Sequence, residues 1–185
     1  MSHHLSRRAV IAGATASFAL PATGLATPII ETAKRNASSF ANQDWQDHFD
    51  KLDRVTIVCD TVSRALHYWS ADGSDYRIYP SSVPMTDELT KTGYTKIVRK
   101  RVAPDWTPTP SMLKRNPDLK YTPPGPDNPL GTHAMYLDWP AYLIHGTHDT
   151  RKIGRRSSDG CIGLYNSAIA ELFEITPVGA QVRII

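Results

Sequence analysis

Cysteine is nearly absent: Cys59 and Cys161 are the two in a chain of 185 residues. That excludes a disulfide-dense scaffold of the kind small secreted domains use in place of a core. Charge of one sign is scarce as well. Lys and Arg number 21 against 18 Asp and Glu, a net of +3, too little to draw in a polyanion, so nucleic acid is not an expected partner. Long hydrophobic runs are missing too. The apolar stretch at residues 9–20 is 12 residues long, well short of the ~20 that a membrane-spanning helix needs. What is present is a 41% hydrophobic composition, which excludes global disorder, and a length that suits one domain with its own core.

The surplus charge is local. Arg7 and Arg8 form a twin-arginine pair ahead of the mildly apolar stretch, Pro21 breaks that stretch, and the small residues Gly24-Leu25-Ala26 follow. Charged, apolar and small-residue segments in this order predict an export signal over residues 1–26 of the twin-arginine type, and with it a bacterial envelope or periplasmic location. Removing both arginines leaves 19 basic against 18 acidic groups, a net of +1. Residues 27–53 are polar, with Trp45, Phe49 and Leu52 at helical spacing; they read as a tether or as a short helix docking on the domain.

From Arg54 onward the texture is that of short strands. Val55-Thr56-Ile57-Val58-Cys59, Ala65-Leu66-His67-Tyr68-Trp69 and Tyr76-Arg77-Ile78-Tyr79 are β-branched, aromatic or alternating, with Asp72-Gly73 as a tight turn. Strands are expected again over residues 93–98, 133–137, 142–144 and 181–185. One helix is expected late, capped by Asn166, with Ile169, Leu172 and Phe173 on one face and Thr176-Pro177 at its end. The expected fold of residues 54–185 is mainly β, a sandwich or a closed antiparallel sheet, with one short helix packed on it. Between residues 103 and 131 lie eight of the 14 prolines. A connection this long is usually functional or disordered. Stiffened by proline and carrying Trp106, Met112, Leu113 and Tyr121, it reads as a flap over a site.

The chemistry-bearing segment is Tyr142-Leu143-Ile144-His145-Gly146-Thr147, followed by Ile153-Gly154-Arg155-Arg156-Ser157-Ser158-Asp159-Gly160-Cys161-Ile162-Gly163. A strand ends in a His and a Gly; sixteen residues after the His a Cys stands behind a Gly. Nucleophilic catalysis by Cys needs a base within hydrogen-bond reach, and a Gly beside it allows a carbonyl to approach the backbone. Backbone N–H groups at Gly160 and Cys161 would then form an oxyanion hole. By residue type alone, a buried structural Cys near a surface His explains the same letters. The histidines show no metal-ligand spacing, so no metal and no cofactor are expected. Cys59 reads as a small buried strand residue, with pairing to Cys161 as the alternative.

The order of these motifs closely resembles the YkuD-type L,D-transpeptidases of bacterial cell walls. His145-Gly146-Thr147, Ile153-Gly154, Ser158-Asp159-Gly160-Cys161-Ile162 and Val178-Gly179-Ala180-Gln181-Val182 carry the likeness. Pro104-Asp105-Trp106-Thr107-Pro108-Thr109 and Pro126-Asp127-Asn128-Pro129-Leu130-Gly131 are similar to the periplasmic branch that includes ErfK and YbiS. Two positions depart from the family pattern: Asp159, where His is frequent, and Gly163, where Arg follows Cys-Ile.

The resemblance implies acyl transfer on peptidoglycan stem peptides. Cys161 would be the nucleophile and His145 the proton acceptor and donor. Gly160 would contribute to the oxyanion hole, and a main-chain carbonyl near Ser157 or Ser158 would orient the imidazole. Gly146 and Trp106 would bind substrate. In place of the missing arginine, Arg155 and Arg156 are the expected substitutes, from a basic run that also holds Arg151 and Lys152; such charges lower a thiol pKa and attract carboxylates. His133 and His148 are expected to be bystanders. The implied product is a 3-3 crosslink between stems. An outer-membrane protein or lipoprotein as acceptor, hydrolysis by water, and a catalytically weakened wall-binding module are the alternatives.

Overall fold

The computed structural model describes residues 41–185; the proposed export signal and residues 27–40 lie outside them. Ten strands follow in chain order: β1 (Thr56–Asp60), β2 (Ala65–Trp69), β3 (Tyr76–Pro80), β4 (Val83–Pro84), β5 (Gly93–Val102), β6 (His133–Leu137), β7 (Leu143–His145), β8 (Arg156–Ser158), β9 (Ile162–Gly163) and β10 (Gln181–Ile184). Eight of them form one sheet in the order β3-β2-β1-β10-β5-β6-β7-β9, and β4 and β8 form a two-stranded ribbon. The helices are α1 (Pro110–Arg115) and α2 (Asn166–Ile175).

The core follows from strand alternation. Ile57 and Cys59 on β1 and Leu66 and Tyr68 on β2 point inward to meet Ile97, Met135, Ile144, Ile162 and the Ile169–Leu172 face of α2. At about 1.5–3 kcal/mol per buried large apolar side chain, this cluster dominates the stability. β5 joins the two halves of the sheet. Its residues 93–96 pair with β10 and its residues 97–102 with β6, with a register shift between Ile97 and Arg99. Such a bulge bends a strand and raises its twist, which curls the sheet around the core.

Mainly-β architecture agrees with the sequence, and three features differ in detail. First, β1–β10, β7–β9 and β4–β8 are parallel, where an antiparallel sheet was expected. Parallel pairing needs a crossover connection, which for β7–β9 is the segment 146–161 that carries β8. Second, the flap contains its own helix, α1, which Thr109 caps by accepting from the Met112 N–H and which has Pro110 in its first turn. Third, Asn166 does not cap α2. The N-cap position is Tyr165, which makes no side-chain cap bond; Asn166 Oδ1 instead accepts from the Thr132 N–H at 3.1 Å.

The segment before the domain docks without a regular helix. Trp45–Asp47 makes one 3-10 turn capped by Asp44, and the anchors on either side of it reach different strands. Phe49 packs edge-on against Tyr94, the Tyr94 hydroxyl donates to the His48 carbonyl, and Gln43 donates to Asp60. These contacts tie the segment to β5 and to the end of β1.

The flap is fastened from within. Trp106 and Thr122 exchange backbone hydrogen bonds of 2.9 Å. Asn128, fully buried, donates to the carbonyls of Pro104, Thr122 and Pro123 and accepts from the Leu130 N–H.

Candidate active site

The end of β7 and the start of β9 lie side by side, with Ile144 level with Ile162 and His145 level with Gly163. Cys161 immediately precedes β9, and it and His145 line the same cavity. A Cβ built on Gly163 would point at His145, 3.8 Å from Cε1, and would also lie 2.3 Å from the Ser82 Oγ. Thiol, imidazole and Ser82 hydroxyl therefore converge, and all three line one cavity of about 360 Å³. The flap closes its other side with Trp106, Met112 and Leu130.

Each group is set by its backbone. The loop from β6 to β7 turns through Ala141, a non-glycine residue at φ 65°. The Cys161 thiol donates to the carbonyl of this residue at 3.5 Å. Burial pushes the thiol up to about 11, opposed by the Leu143 backbone and reinforced by Asp159. His145 Nδ1 faces the Gly146 carbonyl. A carbonyl only accepts, so Nδ1 carries the proton and Nε2 is the basic nitrogen. Burial pulls the imidazole down to about 4, with the Gly146 carbonyl opposing and Lys152 adding to the shift. At neutral pH both members of the pair are uncharged.

Gly160, at φ 133°, has the Tyr142 ring 3.3 Å from where its Cβ would be. A side chain there would be strained and crowded, so the sharp approach to Cys161 depends on glycine. Its N–H faces Ser158 Oγ at 3.4 Å. The Ser158 hydroxyl donates to the Cys161 carbonyl at 2.5 Å, bracing the loop that carries the thiol.

Several expected roles need correction. The carbonyl that orients the imidazole belongs to Gly146; that of Ser158 accepts from the Met85 N–H at 2.9 Å, because β8 is paired with β4. Gly146 is buried beneath α2, its would-be Cβ 2.3 Å from Asn166 Oδ1, so it shapes the site rather than touching the cavity. Arg156 bonds the Pro84 carbonyl and pairs with Asp87, lining a different hollow. Arg155 is exposed and does not line the cavity, and Arg151 is paired with Asp149. Lys152 is the member of the basic run that lines it. His133 packs at a tilt against Phe173 and does not line the cavity, but His148 does, contrary to its reading as a bystander.

Two functional features escaped sequence reading. Arg115 at the end of α1 forms an ion pair with Asp159, tying the flap to the Cys161 loop. Ser82 enters from the far side of the sheet through a two-way backbone bridge with Gly163. Nothing in the local sequence marks either contact; a basic residue after the Thr109-Pro110 helix start was the sole available hint for the first. Cys59 is fully buried and free. Four strands separate β1 from β9 in the sheet, so no disulfide joins it to Cys161.

The family pattern for the L,D-transpeptidase catalytic domain, YkuD, matches residues 54–184. The chain is 61% identical over 191 aligned positions to ORF 5 of the ATP synthase subunits region of Fuscovulum blasticum, covering 100% of both chains. It is 38% identical over 138 residues to ErfK/SrfK of Escherichia coli, matching 71% of this chain and 44% of that longer one. Among solved structures, L,D-transpeptidase 3 of Mycobacterium tuberculosis superposes with a TM-score of 0.56 at 14% identity, over 71% of this chain and 58% of that one. At that identity the likeness speaks for the fold.

Proposed function

The chain belongs to the YkuD family of L,D-transpeptidases, and from that premise we propose that it transfers acyl groups from peptidoglycan stem peptides through Cys161. The observation that carries the reading is the convergence of the Cys161 thiol and the His145 imidazole on one flap-covered cavity.

The groups imply a definite sequence of events. The thiol turns from the Ala141 carbonyl toward the basic Nε2 of His145. Because both groups are neutral at pH 7, the proton passes to Nε2 as sulfur bonds to the carbonyl carbon of the third stem residue. The Gly160 N–H is engaged by Ser158 Oγ, contrary to its expected place in the oxyanion hole, so the Cys161 N–H is the donor proposed for the developing oxyanion, a contribution worth about 3–4 kcal/mol in comparable sites. The carbon–nitrogen bond then breaks, the departing D-Ala amine takes the proton from the imidazolium, and a thioester remains. An amine from a neighbouring stem attacks the thioester, gives a proton to His145 and restores the thiol, leaving a 3-3 crosslink. Residues 1–26 are proposed to direct export by the twin-arginine route, which places residues 54–185 in the periplasm where stems are found.

Incubation with a tetrapeptide stem, followed by mass spectrometry of the intact protein, tests this directly. The expected result is a mass gain equal to the tripeptide acyl group, absent in Cys161→Ala. It should form at least about 100-fold more slowly in His145→Gln, the usual range for loss of a general base. A folded parent protein that stays unmodified under reducing conditions would overturn the proposal.

A further inference from the structure

The basic run after His145 holds four cations, and the fold disposes of them differently. Arg151 is held by Asp149, Arg156 by Asp87, and Arg155 points to solvent away from the cavity. Lys152 lines the cavity beside Cys161 and His145 and is in no ion pair among the described residues. Two acidic side chains line the same cavity: Asp159 is already engaged by Arg115, and Asp127 stands on the flap without an ion pair to Lys152. The Lys152 charge is felt at the imidazole, whose protonated form it disfavours. A lysine that lines the cavity of the thiol and has no carboxylate partner is a place for an anion that arrives with the substrate.

We propose that Lys152 is a specificity residue that binds the free carboxylate of the donor's C-terminal residue, the one released by acyl transfer. This rests on the acyl-transfer reading above. That carboxylate is one residue beyond the scissile carbonyl, so a donor whose carbonyl carbon meets Cys161 brings it within a few ångströms of the attacked bond. Binding there selects stems that end immediately after the scissile bond and disfavours those that continue, because a further peptide bond replaces the carboxylate with a neutral amide. The pairing also lowers the electrostatic opposition to imidazolium, since the carboxylate offsets the ammonium that Lys152 holds beside His145. Substitution of the side chain leaves the local backbone intact: it is the carbonyl of Lys152 that accepts from Ser157 Oγ and the Arg155 N–H, and its N–H that donates to Asp149.

The test measures rates of acylation of the parent, Lys152→Met and Lys152→Arg by three donors. These are a tetrapeptide with a free C-terminal carboxylate, its C-terminal amide, and a tetrapeptide amidated only on the side-chain carboxylate of the third residue. The parent should prefer the acid over the C-terminal amide by about 10- to 100-fold, the span of a charge-assisted hydrogen bond. Lys152→Met should lose that preference through a slower acid reaction with little change for the amide, and Lys152→Arg should keep most of it. A Lys152→Met protein with the parent's acid-to-amide ratio would overturn the proposal. So would a parent that discriminates only against the side-chain amide, which would assign Lys152 to the third residue instead. Failure of the parent to react with the free acid would remove the acyl-transfer reading itself, and this assignment with it.

Discussion

Asn128 offers a direct test of how the flap is held over Cys161. Its side chain is completely buried and bonds both ends of the flap at once: Nδ2 reaches the Pro104 carbonyl at 3.0 Å, Thr122 at 3.1 Å and Pro123 at 3.0 Å, while Oδ1 takes the Leu130 N–H at 2.8 Å. An amide has two N–H groups, so the three carbonyls share them, and three to four hydrogen bonds are at stake. At about 1 kcal/mol net for each, Asn128→Ala costs roughly 3–4 kcal/mol. With about 3–4 °C lost per kcal/mol in a domain of this size, the melting midpoint falls by on the order of 10–15 °C. Asn128→Asp should be worse although it is closer in shape, because it sets a carboxylate against three carbonyls and keeps only the acceptor for Leu130. Thermal melts should be paired with limited proteolysis, since a flap that opens locally shows enhanced cleavage within residues 103–131 before the sheet unfolds. If Asn128→Asp melts within about 2 °C of the parent, against the ~10 °C loss expected from this count, and resists protease equally, the side chain does not fasten the flap.

The low imidazole value sets two pH dependences. The acid limb of the acylation rate should fall near pH 4, where His145 is titrated, and a limb near 6.5 would contradict the burial argument. Because the folded value is depressed, the unfolded chain binds the proton more readily below pH 6.5; stability should therefore fall from about pH 6.5 to 4, and urea midpoints of His145→Gln should lack that share. Gly163→Ala should destabilise, since its Cβ meets the Ser82 Oγ at 2.3 Å, and adding Ser82→Ala should recover much of the loss in a double-mutant cycle. Thiol titration should find one reactive group in the native protein and two after denaturation, because Cys59 is fully buried and burial pushes its thiol far up.

Much of the sheet was legible because strands buried on one or both faces leave local signatures. His133–Leu137 was expected over the same residues as observed, and Ile169 and Leu172 line the buried face of α2 as their spacing predicts. Partner choice was not legible in the same way. Whether β10 runs alongside β1 or against it depends on the path of the whole chain between them, which no local pattern encodes. Asn166 illustrates the same limit at one residue: its type predicts a cap, but its oxygen is taken by the backbone N–H of Thr132, 34 positions away. In the docking segment, Trp45, Phe49 and Leu52 have helical spacing, but contacts with separate strands override a helix too short to stand alone.

Cys161 and His145 stand out in the sequence as a candidate pair through the order of the motifs around them, and the fold brings both to one cavity. The cation facing the cavity could not be read by counting, since Arg151, Lys152, Arg155 and Arg156 are equivalent until the carboxylates of Asp149 and Asp87 have been placed. Gly163 shows most clearly how a missing side chain misleads. Read alone, it is a lost arginine and suggests a weakened enzyme. In the folded chain the direction its Cβ would take is filled by the Ser82 hydroxyl, delivered by a backbone bridge from 81 residues upstream, so the glycine is the condition for another polar group to stand beside His145. The two positions are one structural choice, and a substitution at either has to be judged with the other in place.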